Sequence, residues 1–173
     1  MIKKPVLDEF NEQIKHEMES AYLYLAMAAW FDSRSLNGMA TWMKSQATEE
    51  MGHAMRFYNH ILDRDGKVVL EPLGIKKLEW NSPVQAFEEA LAHERFITER
   101  INHLVEVAHS NKDSAAHNFL EWFVEEQIEE EATASKICDD LKLVGDSGYG
   151  VLMLDRELGQ RMPTMPTTGE EGA

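Results

Sequence analysis

The amino-acid sequence predicts an all-α protein: a four-helix bundle with one long crossover and a short fifth helix at its C-terminal end. Three observations predict it. Residues 6–34, 39–65, 84–110 and 113–143 are rich in Ala, Leu, Met, Glu, Gln and Lys, with apolar positions at helical spacing and no period-2 alternation. Pro5, Gly38, Gly66, Pro72, Gly74 and Pro83 fall at the edges of these blocks or between them. Two of the connections are only a few residues long, and the third is much longer.

Taken in order, Pro5 opens the first helix, and Gly38 breaks the chain after Ser35-Leu36-Asn37, before the second. The short connections at 35–38 and 110–112 join the first helix to the second, and the third to the fourth, as antiparallel hairpins. Residues 66–83 are the long connection; about 17 extended residues at roughly 3.3 Å each reach more than 50 Å, enough to return along the whole bundle. After Gly145-Asp146-Ser147-Gly148, residues 149–159 read as a short fifth helix. Its Val151, Leu152, Met153 and Leu154 are too apolar for solvent and are expected to pack against something outside the bundle. Residues 1–160 thus form one domain, and 161–173, with two prolines and no pattern, read as a flexible tail.

The 173 residues are 43% hydrophobic and 28% charged, with a net charge of −14. This composition fits one soluble globular domain and excludes a disordered acidic tail. No run of 18 apolar residues exists, which argues against a membrane span, and the first residues carry acids where an export signal would be apolar. The expected location is the cytoplasm. A single cysteine, Cys138, makes neither an internal disulfide nor a cysteine metal cluster. The negative balance disfavours nucleic acid and makes cations the natural partners.

Stepping three and four residues along each helix traces a core seam. The first reads Leu7, Phe10, Ile14, Glu17, Ala21, Tyr24, Ala28, and the second Ala40, Met43, Ala47, Glu50, Ala54, Phe57, Ile61. The third reads Phe87, Ala90, Glu94, Ile97, Ile101, Leu104, Ala108. One carboxylate interrupts each, whereas the fourth, Leu120, Phe123, Gln127, Glu130, Ala134, Ile137, Leu141, has two polar residues in adjacent places. His53 follows Glu50 by one turn. Glu94 and Gln127 are equidistant from the turn at Ser110-Asn111, and Glu17 and Glu50 nearly so from theirs, so each pair sits level in its hairpin. The hairpins also repeat each other, because Glu17 to Glu94, Glu50 to Gln127 and His53 to Glu130 are all 77 residues apart.

Buried carboxylates repel one another and lose hydration, so a positive charge must offset them. Carboxylate oxygens with one imidazole suit iron or manganese better than copper, while calcium and magnesium more usually omit the histidine. Glu17, Glu50 and His53 are assigned to one metal ion, and Glu50, as a bridge, with Glu94 to a second, with Gln127 and Glu130 nearby. A lone glutamate on a seam is more often a misjudged face than a ligand, but four level interruptions are hard to dismiss. Tyr24 is either a core tyrosine satisfied by a hydrogen bond or an electron donor beside the metals. Residues 125–131 would ordinarily be a solvated acidic face. Here Glu126 and Glu129, with Glu49 one position before Glu50, mark an acidic patch beside the pair, where a third metal would fit. His16, His60, His93, His103, His109 and His117 have no comparable constellation and read as structural or exposed.

With these residues in view, the chain from about residue 5 to residue 160 resembles a ferritin, specifically the haem-free bacterial ferritin subunit. The resemblance rests on Glu17 with Tyr24, on Glu49-Glu50-Met51-x-His53, on Glu94, on residues 121–131 and on the Gly145–Gly150 segment. The helix carboxylates and Glu-x-x-His are also the general signature of ferritin-like di-metal bundles. The resemblance implies a hollow shell of 24 identical copies that oxidises Fe(II) with dioxygen at a di-iron centre within each subunit and stores a ferric oxide-hydroxide mineral. It implies Glu17, Glu50, His53 and Glu94 as iron ligands, Gln127 near the second iron and Tyr24 beside the centre. It further implies Glu49, Glu126, Glu129 and Glu130 as a third iron site, and a fifth helix lining the four-fold axis.

Departures from neighbouring families narrow the reading. Bacterioferritins and rubrerythrins carry a second Glu-x-x-His where this chain has Gln127-x-x-Glu130, so the second iron is expected to be held less symmetrically. Met51 occupies the place of a haem-ligating methionine, but no second haem signal accompanies it, and no haem is expected. Two rivals keep part of the pattern: a substrate oxygenase, for which the chain has little spare mass, and a non-enzymatic cage subunit, which needs no paired site inside the bundle.

Overall fold

The computed structural model describes residues 1–74, 79–145 and 147–160. The expected tail at 161–173, and Asp146 of the glycine-rich turn, lie outside the described residues. Among the described residues five helices follow one another: α1 (Lys4–Asp32), α2 (Asn37–Asp63), α3 (Pro83–Ser110), α4 (Ser114–Val144) and α5 (Gly148–Leu158). Each boundary falls within two residues of the expected one, and the local chemistry explains most of them. Proline opens α1 and α3, where its missing N–H is no loss. Ser82, Asp113 and Ser147 accept the backbone N–H groups of Gln85, Ala116 and Gly150 and so cap α3, α4 and α5.

α1 and α2 form one antiparallel hairpin, and α3 and α4 the other. The crossover runs back along α1, as its length allows. Arg64 O accepts from Ile2 N at 3.0 Å, Val69 N donates to Asn11 Oδ1 at 2.7 Å, and Gly74 N donates to Glu19 Oε1 at 2.8 Å. Trp80 then packs on Trp30 near the far end of α1, with its indole N–H donating to Glu89. α3 therefore starts beside the end of α1, and α2 and α3 are parallel.

α2 begins two residues earlier than the sequence suggests, and Gly38 lies inside its first turn instead of breaking the chain before it. The cause is α5. A Cβ on Gly38 would stand 1.6 Å from the carbonyl oxygen of Asp155, so only glycine permits the helices to cross at this distance. α5 also packs partly on its own bundle, contrary to the expectation of an outside partner for all four apolar residues. Leu154 is buried and Val151 half-buried against the core, while Leu152 and Met153 remain exposed.

The apolar interior is in two parts. Phe10, Ile14, Ala54, Phe57, Ile97, Ile101, Leu120 and Phe123 fill one end of the bundle. Tyr24, Met27, Phe31, Met43, Phe87, Ala134 and Ile137 fill the other. On every long helix buried polar residues lie between these two groups, and they form a layer across the bundle.

Candidate metal centre

That layer is built from the seam interruptions. Glu17, Glu50, His53, Glu94, Gln127 and Glu130 are all buried, none more than 6% exposed. One potential ligand atom from each of Glu17, Glu50 and His53 lies within 4.8 Å of the others. His53 Nδ1 is 3.3 Å from Glu50 Oε2, as expected for a Glu and a His one helical turn apart. Glu17 Oε2 is buried with no hydrogen-bond partner, and its other oxygen accepts from Gln13 Nε2 at 2.9 Å.

On the facing hairpin, Glu94 is held from two sides. The Tyr24 hydroxyl donates to its Oε1, and Gln127 Nε2 donates to its Oε2 at 3.2 Å. Glu130 accepts from Gln46 Nε2 at 2.9 Å. Of the other acids named from the sequence, Glu49 is buried, Glu126 half-buried and Glu129 exposed. Among the described residues no other group of three His, Cys, Asp or Glu side chains converges as closely as Glu17, Glu50 and His53. Glu126 feels both Glu49 and Glu129, but these acids and Glu130 do not close into such a cluster.

The electrostatics follow from the crowding. Burial, and then the neighbouring Glu50 carboxyl, push Glu17 from the usual 4.5 to about 8. Burial and Glu94 push Glu50 well up, and burial also raises Glu94 against the opposing hydrogen bonds from Tyr24 and Gln127. Burial, with Glu94 and Glu50 close by, holds Tyr24 well above the usual phenol range. Burial raises Glu126, with Glu129 and Glu49 adding to the shift and His53 opposing it. Without a cation, then, the layer holds protons, which a dication bound there would replace.

Sequence reasoning missed several groups that shape this layer. Gln13 and Gln46 stand four residues before Glu17 and Glu50, and the amide of each is buried and donates to a carboxylate. His93, read as structural or exposed, is half-buried and structural, 2.6 Å from Ser20 Oγ and edge-on to the Tyr24 ring. Burial, then His16, lowers it to about 4, so it is neutral. His16 sits half-buried between Glu12 and Glu19, each 3.6 Å away.

Comparison with known proteins agrees with this architecture. Residues 7–144 match the ferritin-like domain of the ferritin family. A bacterial non-heme ferritin of Bacteroides fragilis is 40% identical over 161 residues, covering 93% of this chain and all of that protein. One from Staphylococcus epidermidis is 37% identical, covering 93% and 97%. The solved open-pore ferritin of the archaeon Archaeoglobus fulgidus superposes with a TM-score of 0.92 at 44% identity, covering 94% of this chain and all of that one. A fold of two helical hairpins with a short C-terminal helix, a polar layer of level carboxylates and relatives matched over nearly their whole length lead to one conclusion: the chain belongs to the ferritin family.

Proposed function

We propose that the protein stores iron by oxidising Fe(II) with dioxygen at the Glu17, Glu50, His53 and Glu94 layer and depositing the ferric product inside a shell of 24 copies. The observation that carries this reading is the convergence of Glu17, Glu50 and His53 in a buried layer where one Glu17 oxygen has no hydrogen-bond partner. Unpaired buried carboxyl oxygens are destabilising unless something occupies them, and a hard dication with room for one imidazole matches the donor set.

Fe(II) is the substrate. Glu17 and His53 hold one ion, Glu50 bridges, and Glu94 holds the second, with the Gln127 amide oriented by Glu94. Each ion gives one electron, so dioxygen is reduced at the two-electron level. The chain's own contribution is positioning and charge: the carboxylates favour Fe(III) over Fe(II), and their protons leave as the ions bind. Tyr24, whose hydroxyl already donates to Glu94, is poised to pass a proton to that carboxylate if it supplies an electron. Glu49, Glu126, Glu129 and Glu130 offer an onward station for iron leaving the pair, and neither haem nor a membrane partner enters the scheme. Among the described residues no helix is long and apolar enough to cross a membrane.

The test is anaerobic Fe(II) loading followed by rapid mixing with oxygenated buffer, for wild type and Glu50→Ala. Loss of the bridging carboxylate is expected to slow the initial oxidation by about a hundredfold, an amount of transition-state stabilisation typical of removing one such group. Equal, slow oxidation in both proteins would leave the layer without a catalytic role.

A further inference from the structure

The polar layer does not end at Glu94 and Gln127. Thr98 follows Glu94 by four residues on α3, and Glu131 follows Gln127 by four on α4, so a second pair of polar groups stands one turn away on facing helices. The four are joined by hydrogen bonds. Gln127 Nε2 donates to Glu94 Oε2 at 3.2 Å and lies 3.5 Å from Thr98 Oγ1, and the Thr98 hydroxyl lies 2.5 Å from Glu131 Oε1 and 3.1 Å from the Glu94 carbonyl oxygen. Three of them, Gln127, Thr98 and Glu131, line a cavity of about 200 Å³ between α3 and α4, whose other walls include Ile101, Asn102 and Val124. Exposure falls along it. Asn102 is exposed and the Glu131 side chain is 32% exposed, whereas Gln127 is buried at the inner end. One amide side chain therefore separates the cavity from the Glu94 carboxylate.

We propose that this groove is the route by which hydrated Fe(II) reaches the centre, with Glu131 as the capturing carboxylate and Gln127 as the side chain that turns aside to admit it. The proposal rests on the metal-centre reading above. The volume fits a small hydrated ion, since a water takes about 30 Å³ and the cavity holds several. The polar wall offers oxygens in succession: the Glu131 carboxylate, the Thr98 hydroxyl, the Gln127 carbonyl once its amide rotates, and finally Glu94. These are hard donors, each able to replace one water of the ion. Arg95 stands 3.7 Å from Glu131 Oε2, but the contact is long and the Arg95 side chain mostly exposed, so it weakens the carboxylate's pull without cancelling it.

The test uses iron-free assembled protein and Co(II), whose visible absorption reports carboxylate and imidazole ligation without any oxidation. Rapid mixing gives the rate at which Co(II) reaches the centre, and equilibrium titration gives its occupancy, each corrected with Glu50→Ala as background. Asn102→Trp, at an exposed position, fills the mouth of the groove and is expected to slow arrival at least about tenfold with final occupancy unchanged. Glu131→Gln is expected to slow it about fivefold and to flatten its dependence on ionic strength, because a steering charge is gone. Wild-type rates at full occupancy in both variants would overturn the route. Absence of the Co(II) spectrum at equilibrium in wild type would overturn the metal-centre reading, and this proposal with it, and it is told apart from failure of the route because it appears in the occupancy and not the rate.

Discussion

At the scale of single residues, the metal-free protein is strained where the iron is expected to bind. Glu17 titrates near 8 in the folded chain against the usual 4.5, so the folded state holds a proton that the unfolded chain has released across that interval. A raised carboxyl pKa gives a definite sign: stability is undiminished below about pH 4.5 and falls as pH rises towards 8. The full loss from this one group is roughly 5 kcal/mol, taken from the size of the shift. Calorimetric melting of the metal-free protein is therefore expected to show a falling midpoint from pH 5 to 8, and Glu17→Gln to flatten that slope and raise the midpoint at pH 8 by several degrees. A metal-free midpoint independent of pH in this range would contradict the crowding described here. The same protons predict that Co(II) loading at pH 7 releases protons, which calorimetry in two buffers of different ionisation enthalpy measures directly. The carboxylates of this layer were legible in the sequence because they break an apolar period. Gln13 and Gln46 were not, because each long helix packs on more than one neighbour and its buried stripe is wider than the seam of alternate three- and four-residue steps.

At the scale of elements, the four long helices were legible to within two residues, since composition, apolar spacing and prolines all agreed. The placement of α5 was not, because its partner is a backbone surface that no periodicity announces. Asp155, buried on an apparently amphipathic short helix, accepts the backbone N–H of Met39 at 2.8 Å. It thereby caps α2, whose own Leu36 supplies no side-chain cap. A carboxylate at a helix N-terminus is doubly favoured, by the hydrogen bond and by the helix dipole. Asp155→Ala is expected to destabilise the subunit by about 1 kcal/mol, a fall in melting temperature of roughly 2–4 °C for a chain of this size. Gly38→Ala should be worse, because the added methyl overlaps the Asp155 carbonyl and forces α5 away from α2. Limited proteolysis checks this: cleavage between α4 and α5 should accelerate in Gly38→Ala, and an unchanged digestion pattern would mean that the two helices are not held together by this contact.

At the scale of the whole molecule, the subunit leaves apolar side chains on its outside that a lone chain gains nothing by exposing. Tyr22 and Leu25 on α1, Met51, Met55 and Leu62 on α2, and Val69, Leu70 and Leu73 on the crossover are all more than a third exposed. The crossover lies along α1, so its exposed apolar residues and those of α1 are neighbours on the outside of the bundle. Exposed apolar surface of this extent marks a face that another chain covers. With a charge of −14 on every copy, association must be driven by such burial against electrostatic repulsion. Two consequences follow for a homo-oligomeric ferritin. Raising ionic strength should favour the assembled form, and placing a charge in the apolar face should oppose it. If 24 copies of the 19.8 kDa chain assemble, the particle has a mass of about 475 kDa. Light scattering coupled to size separation is expected to give that mass for wild type and a much smaller one for Leu25→Glu combined with Leu70→Glu, with helical circular dichroism retained. A double variant that still elutes at the wild-type mass would move the assembly interface to another face. A wild-type mass near that of one chain would remove the shell from the proposed function while leaving the carboxylate layer, and the chemistry argued for it, standing within the single subunit.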